Sequence, residues 1–271
     1  MEDVSSRRGP GRSLIESGYA AASAIMNVEY IPLLQVQREV YELPRGFERF
    51  REYLRTMVDP GAGDLKLPLA AMNPMGKDHL PGFLDSLLDM DADGEAARAA
   101  AEAESQLRQE PGRYKVCIVV SDDLMGGWTN RYTSEFTHRF SPSAYYKRGW
   151  IVGVLWTSET YSPERVREEM MMSIFRAAYI QRHGVARMLG DMLAQEGYAM
   201  KMAGSSGPTL DGDDLVYTRE VLASYLRNSD RPTLIAALYG DSAARELGYP
   251  PLGLSPNAGF ALALDNARRP G

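Results

Sequence analysis

The chain has one cysteine, three histidines and no run of apolar residues approaching the roughly 20 that a membrane-spanning helix needs. A single cysteine excludes an internal disulfide. Cys117 lies in the middle of an apolar stretch, where a thiol behaves as a small hydrophobe, and a reducing compartment suits it. Lysine and arginine form no dense cluster and the formal net charge is −6, so the basic face of a nucleic-acid binder is missing. Nucleic-acid and membrane roles are therefore not expected.

Catalytic signatures are scarce as well. There is no HExxH zinc motif, and no GxSxG elbow to support a Ser-His-Asp nucleophile. The Gly76-Lys77 dipeptide fails the phosphate-loop pattern, because position 71 is alanine and position 78 is aspartate. Ser6-Arg7-Arg8 is not followed by an apolar core, since Glu16 and Gly18 interrupt it. Residues 1–12 therefore read as a flexible leader and the expected location is cytoplasmic.

What the chain does contain is concentrated in residues 113–160. Two β-branched apolar runs, Tyr114 to Val120 and Trp150 to Trp156, each stop abruptly at a polar cluster: Ser121-Asp122-Asp123 and Thr157-Ser158-Glu159. Open α/β sheets carry their sites in the crevice beyond such strand ends. A third strand is expected at 65–72, ending at the polar turn Asn73 to His79, with Pro68 marking an edge or bulge.

Helical spacing is clear around Phe47, Phe50, Tyr53, Leu54 and Met57, and again over 80–90. The alanine-rich segment 93–109 reads as a surface helix. A central helix is expected over 163–183, capped by Ser162, opened by Pro163 and facing the core through Val166, Met170, Ile174 and Ala178. Shorter helices follow near 185–196, 214–227, 231–239 and 242–247, then a Gly/Pro-rich tail.

The expected class is α/β, a small central sheet of at least three strands with flanking helices and a helical C-terminal third. The organisation reads as an N-terminal arm or helix at 1–42, an α/β core at 43–203 and a helical extension at 204–271 on the same domain. The segment Ala203 to Pro208 reads as a linker between the last two.

Loops 73–79, 121–138 and 157–161 are expected to converge on one pocket. Glu135 and His138 are three residues apart, hence on one helix face, and with Asp122 they are the candidate catalytic groups. Asn73, Lys77, His79, Trp128, Asn130, Arg131 and Glu159 are the candidate ligand-binding residues, with Arg131 or Lys77 holding an anionic group. Arg131 and Arg139 flank Glu135 at four-residue spacing, so a salt-bridged structural Glu135 is the competing reading.

Glu135, His138 and His79 are also the residues that would hold a divalent metal, and the metal's identity stays open. Asp89 to Gly94 matches half of a calcium loop but has alanines at its ninth and twelfth positions. Those aspartates read as helix-capping charges.

Two functions compete. One is an enzyme, a hydrolase or lyase acting on a polar or anionic metabolite through a His/Glu acid–base or metal-assisted site. The other is a non-catalytic ligand-binding or assembly protein, with a degenerate zincin-like scaffold as a third variant. Methionine-rich segment 185–202 and the arm carry surplus apolar surface, so a homodimer is expected.

Overall fold

In the computed structural model, residues 26–124 and 130–269 are described. The expected leader, most of the expected arm, and Gly126, Gly127 and Trp128 lie outside the described residues. The sheet is three-stranded and wholly parallel, formed by β1 (Asn27–Tyr30), β4 (Arg113–Ser121) and β5 (Trp150–Trp156) in that order. A separate antiparallel pair, β2 (Val58–Asp59) and β3 (Asp64–Leu65), makes a small hairpin elsewhere. β4 is central, with Val116 to Ser121 buried, and all seven residues of β5 are buried. Near-continuous apolar runs of this kind mark parallel strands covered on both faces.

One expected strand is corrected and one unexpected strand replaces it. Residues 65–72 do not enter the sheet: Leu65 ends the hairpin, and Leu69–Ala71 forms a single 3-10 turn after Pro68. Pro68 cannot donate to a ladder, and the extended run has already ended at Leu65. The third strand is β1, in register with the start of β4 from Asn27↔Arg113 to Tyr30↔Val116. It is followed by α1 (Leu34–Val40). β1 is too short to cover the far end of β4. There the side chain of buried Gln37 on α1 takes over, accepting from Val120 N (2.8 Å) and donating to Val120 O (3.1 Å). Replacing Gln37 with alanine leaves both backbone groups without partners in the core, and should cost about 1–3 kcal/mol in denaturant unfolding.

α2 (Phe47–Met57) and α3 (His79–Asp89) form as their spacing predicts. Of the aspartates that resemble a calcium loop, Asp91 stands at the N-cap of the next helix without a side-chain capping hydrogen bond, and Asp93 bonds outside its own helix. Asp93 accepts from the Tyr30 hydroxyl (2.5 Å) and from Leu34 N at the start of α1 (3.3 Å), so it ties α4 (Ala92–Gln106) to the first strand. α4 is not the surface helix that its composition suggests. Ala92, Ala96, Ala99, Ala100 and Ala103 are buried against α7 (Pro163–His183). Small side chains let two helix backbones approach closely, and a stripe with few large residues is what such an approach requires.

α5 (Arg131–Phe140) and the short α6 (Ser143–Tyr146) connect β4 to β5. α7 is the central helix. Its N-cap Ser162 accepts from Arg165 N, and Val166, Met170, Ile174 and Ala178 are fully buried, as the spacing requires. It packs on β5, α4 and α8 (Leu189–Ala203). Gly197 does not end α8 but lies inside it, where α12 (Ala258–Arg268) crosses. A Cβ there would stand 2.4 Å from the Ala263 carbonyl oxygen.

α12 occupies what composition marks as a Gly/Pro-rich tail. The run Ala258 to Leu264 is buried between α8 and α10 (Arg231–Tyr239). α9 (Gly212–Ala223) and α11 (Asp241–Glu246) complete the helical C-terminal region. The expected linker is corrected too: Ser205 is buried, its hydroxyl bonded to Glu168 and its carbonyl accepting from Arg268. Met192 and Met200 are core residues of this same chain, while Val185 and Met188 stay exposed.

Candidate functional site

Beyond the carboxyl ends of β4 and β5 lies an open cavity of about 750 Å3, walled in part by α5, α7, α10 and the stretch around Gly207 and Pro208. Such volumes suit a small molecule. Each strand delivers a polar residue as it leaves the sheet. Asp123 accepts from Ser158 N (2.9 Å) and from the Ser158 hydroxyl (2.6 Å), which ties the two strand ends together. Asn130 caps α5, its Oδ1 accepting from Thr133 N (3.0 Å), and its amide donates to Glu246 (2.8 Å). The first residue of α5 is thereby aimed over the strand ends, and that residue is Arg131.

Arg131 gathers three carboxylates. It bonds to Glu135 (2.8 Å), Asp123 (3.1 Å) and Glu159, and its guanidinium stacks on Trp156 at 4.8 Å. Two turns on, Arg139 holds the other oxygen of Glu135 and reaches Glu196 (2.5 Å). Glu196 in turn grips Arg176 through two bonds of 2.7 and 3.0 Å. Arg165 joins Glu159 to Glu168. The result is a chain of alternating charge along one wall, all of it partly or wholly out of water.

Glu135 is clamped between two guanidinia, which outweigh burial and hold its carboxyl below the usual 4.5. A carboxylate so held is a poor proton acceptor near neutrality. His138 is spaced to share its face, but its role is also set. Its Nε2 donates to the Val152 carbonyl (2.7 Å), and burial, reinforced by Arg176 and Arg139, pushes its pKa down to about 4. The imidazole is neutral, with the lone pair on Nδ1. His138 Nε2 is thus committed to the Val152 carbonyl and both Glu135 oxygens to arginines, which weighs against the expected Glu135/His138 proton-transfer pair.

Of the other expected residues, Asn130, Arg131 and Glu159 line the cavity with Glu135 and His138. Asp122, Asn73, Lys77 and His79 are not among the described lining residues. Loop 73–79 reaches Asp122 instead, with His79 Nε2 2.9 Å from Asp122 Oδ1 and Thr157 Oγ1 also 2.9 Å from it. Asn73 is a turn residue: its carbonyl accepts from Tyr41 and its side chain from Met75 N. Lys77 is exposed. Trp128 lies outside the described residues. Among the described residues no group of three or more His, Cys, Asp or Glu side chains could hold a metal ion. His79 is taken up by Asp122 and Glu135 by two arginines, which removes the geometry expected for a shared metal.

The sequence reading passed over the most distinctive group in the cavity. Glu169 on α7 lies where β5 carries Gly153; a Cβ on that glycine would stand 3.6 Å from Glu169 Cγ. Protein surrounds the carboxyl, yet the cavity leaves it partly reachable. The Ser173 hydroxyl donates to it at 3.2 Å. Among the described residues it is the only cavity carboxylate away from the exposed rim without an ion pair. Desolvation raises its pKa above 4.5, against the pull of Arg139 and Arg176. Nearby Tyr239 is 3 % exposed, and its hydroxyl has no hydrogen-bond partner among the described residues.

Arg176, Glu196 and Tyr239 were also missed. A lone arginine between Phe175 and Ala177, or a glutamate among Leu193, Gly197 and Ala199, was the available signal: an isolated charge on an apolar helix face has to find a buried partner.

No helix among the described residues is long and apolar enough to cross a membrane. No family model, curated protein or solved structure matches the chain.

Proposed function

We propose that the chain is a small-molecule enzyme of the hydrolase or lyase type, in which Glu169 acts as general acid–base on a polar substrate held in the cavity. One observation carries this reading: Glu169 is a desolvated carboxyl lining the cavity, without an ion pair among the described residues, in a wall where the neighbouring carboxylates are ion-paired. Pairs of titratable groups with opposed environments are how acid and base roles are divided in enzyme sites. Glu135, Glu159 and Glu196 fix the arginines, and neutral His138 offers a hydrogen-bond acceptor. The divalent metal is not carried forward, since the described residues contain no set of ligands for it.

A melting screen against polar metabolites followed by turnover assays tests this. Glu169→Gln should fold and bind the stabilising metabolite, while turnover falls by about 100-fold or more. Unchanged turnover in that variant, or a wild-type protein that binds without converting anything, would favour the non-catalytic ligand-binding alternative. A cytoplasmic location and a homodimer belong to the same proposal. Exposed Val185 and Met188, in the methionine-rich segment, are apolar surface available to a second copy, and light scattering measures the mass.

A further inference from the structure

We infer that the substrate is a neutral glycoside, a sugar joined through its anomeric carbon to a nitrogen or oxygen leaving group, and not an anionic metabolite held by Arg131 or Lys77. The inference rests on Glu169 being the proton donor and adds the chemical class on which it acts.

The guanidinia are the first reason. Among the described residues four arginines face the cavity and each is already engaged: Arg131 with Asp123, Glu135 and Glu159, Arg139 with Glu135 and Glu196, Arg176 with Glu196, and Arg165 with Glu159 and Glu168. A phosphate or carboxylate ligand would have to displace a carboxylate from these pairs and leave it unpaired in a desolvated wall. Lys77 is not among the described residues lining the cavity.

The balance of charge is the second. Among the described residues, six acidic residues line the cavity (Asp123, Glu135, Glu159, Glu168, Glu169 and Glu246) against those four arginines. The field is therefore negative even with Glu169 protonated. A negative, preorganised field opposes an anion but stabilises positive charge that develops during reaction, as it does on the sugar ring when a glycosidic bond breaks.

Shape and surface agree. A cavity of about 750 Å3 accepts a nucleoside or a disaccharide, and Tyr132 and Tyr161 add ring surface to a wall otherwise rich in hydroxyl-binding carboxylates.

The step balances with water as the only co-reactant. The Glu169 carboxyl passes its proton to the leaving nitrogen or oxygen. The bond from that atom to the anomeric carbon breaks, and both electrons go to the leaving group. The ring carries the positive charge as an oxocarbenium ion among the ionised carboxylates. A water oxygen then bonds to the anomeric carbon, and its proton returns to Glu169. The products are the free sugar and the protonated leaving group.

The test uses the full chain and its Glu169→Gln variant against neutral nucleosides and nitrophenyl glycosides, beside nitrophenyl phosphate and nitrophenyl acetate. An imino-ribitol that is protonated at neutral pH, ribose and ribose phosphate serve as binding probes. Turnover is expected only for the glycosides, falling by about 100-fold or more in the variant. The imino-ribitol should bind about 100-fold more tightly than ribose, because it resembles the charged transition state, and ribose phosphate more weakly than ribose. Glu169-dependent turnover of the phosphate or acetate ester alone, or ribose phosphate binding as tightly as the imino-ribitol, would overturn the glycoside assignment and leave Glu169 as the acid. Absence of Glu169-dependent turnover across the whole panel would overturn both.

Discussion

Replacing Glu196 with glutamine should destabilise the protein by about 3–5 kcal/mol, the usual effect of removing one partner of a buried ion pair. Glu196 is fully buried, and Arg176, which it holds bidentately, is 2 % exposed. Glutamine preserves size and one acceptor oxygen, so the loss isolates the charge. Two guanidinia, Arg176 and Arg139, would then share wholly or partly buried space with too little negative charge. In a chain of this length that corresponds to a fall in melting temperature of roughly 10 °C.

The pair Arg176→Met with Glu196→Leu should recover part of the loss, since apolar replacement of both partners removes the desolvation cost with the attraction. The pH dependence has a definite sign. Arg176 and Arg139 overcome burial and depress the Glu196 pKa to about 2, from 4.5. Its contribution is therefore present above 4.5 and lost as pH falls toward 2. Urea unfolding across this range measures both effects, and a Glu196→Gln variant within 1 kcal/mol of wild type would show that the pair is not buried as described.

Glu169 should behave in the opposite sense. Desolvation raises its pKa in the folded protein, so folding favours the protonated form. The stability associated with that carboxyl is complete below its unfolded pKa and is lost as pH rises through the raised folded value. Glu169→Gln should therefore be more stable than wild type at pH 8 and equal to it near pH 4. Activity should follow the same titration. A general acid works only while protonated, so turnover should decline on the alkaline side of the Glu169 pKa, and that limb should vanish in the variant's residual rate. Melting curves and rate profiles across pH check the two sides separately; a variant less stable than wild type at every pH would mean that the carboxylate is structural.

The parts of this molecule that could be read from sequence are those whose signal is local. β4 and β5 are continuous apolar runs, and α7 carries its own cap and a four-residue core stripe, so each declares itself within its own residues. β1 does not. Asn27-Val28-Glu29-Tyr30 alternates half-buried with exposed, and its partner lies 86 residues away, so nothing short-range distinguishes it from a loop. Residues 65–72 gave the reverse error, an apolar stretch whose extended run has already ended at Leu65. α4 was misplaced because alanine was taken as a surface residue, when five alanines on one face are what close helix packing needs.

The site follows the same division. The helical spacing of Glu135 and His138 puts them on one face, and both line the cavity, but the surroundings of each are set by other groups: Val152 O for His138, and Arg131 with Arg139 for Glu135. Of these, the arginine clamp was legible as i,i+4 spacing and the carbonyl was not. Glu168 and Glu169 are adjacent acids that look like a solvated helix face. They differ because Arg165 and Ser205 engage the first, whereas the second stands over Gly153 and makes no ion pair among the described residues.

The most direct test of the account is the titration of the Glu169 carboxyl itself, followed by carbon-13 NMR in the full-length protein and assigned by the resonance missing from Glu169→Gln. The account predicts a midpoint above 4.5, the ordinary carboxylate value, and a shift in that midpoint when a ligand fills the cavity. A midpoint below 4.5, insensitive to any ligand that stabilises the fold, would mean that Glu169 is one more ion-paired carboxylate, and the catalytic reading would fall with it.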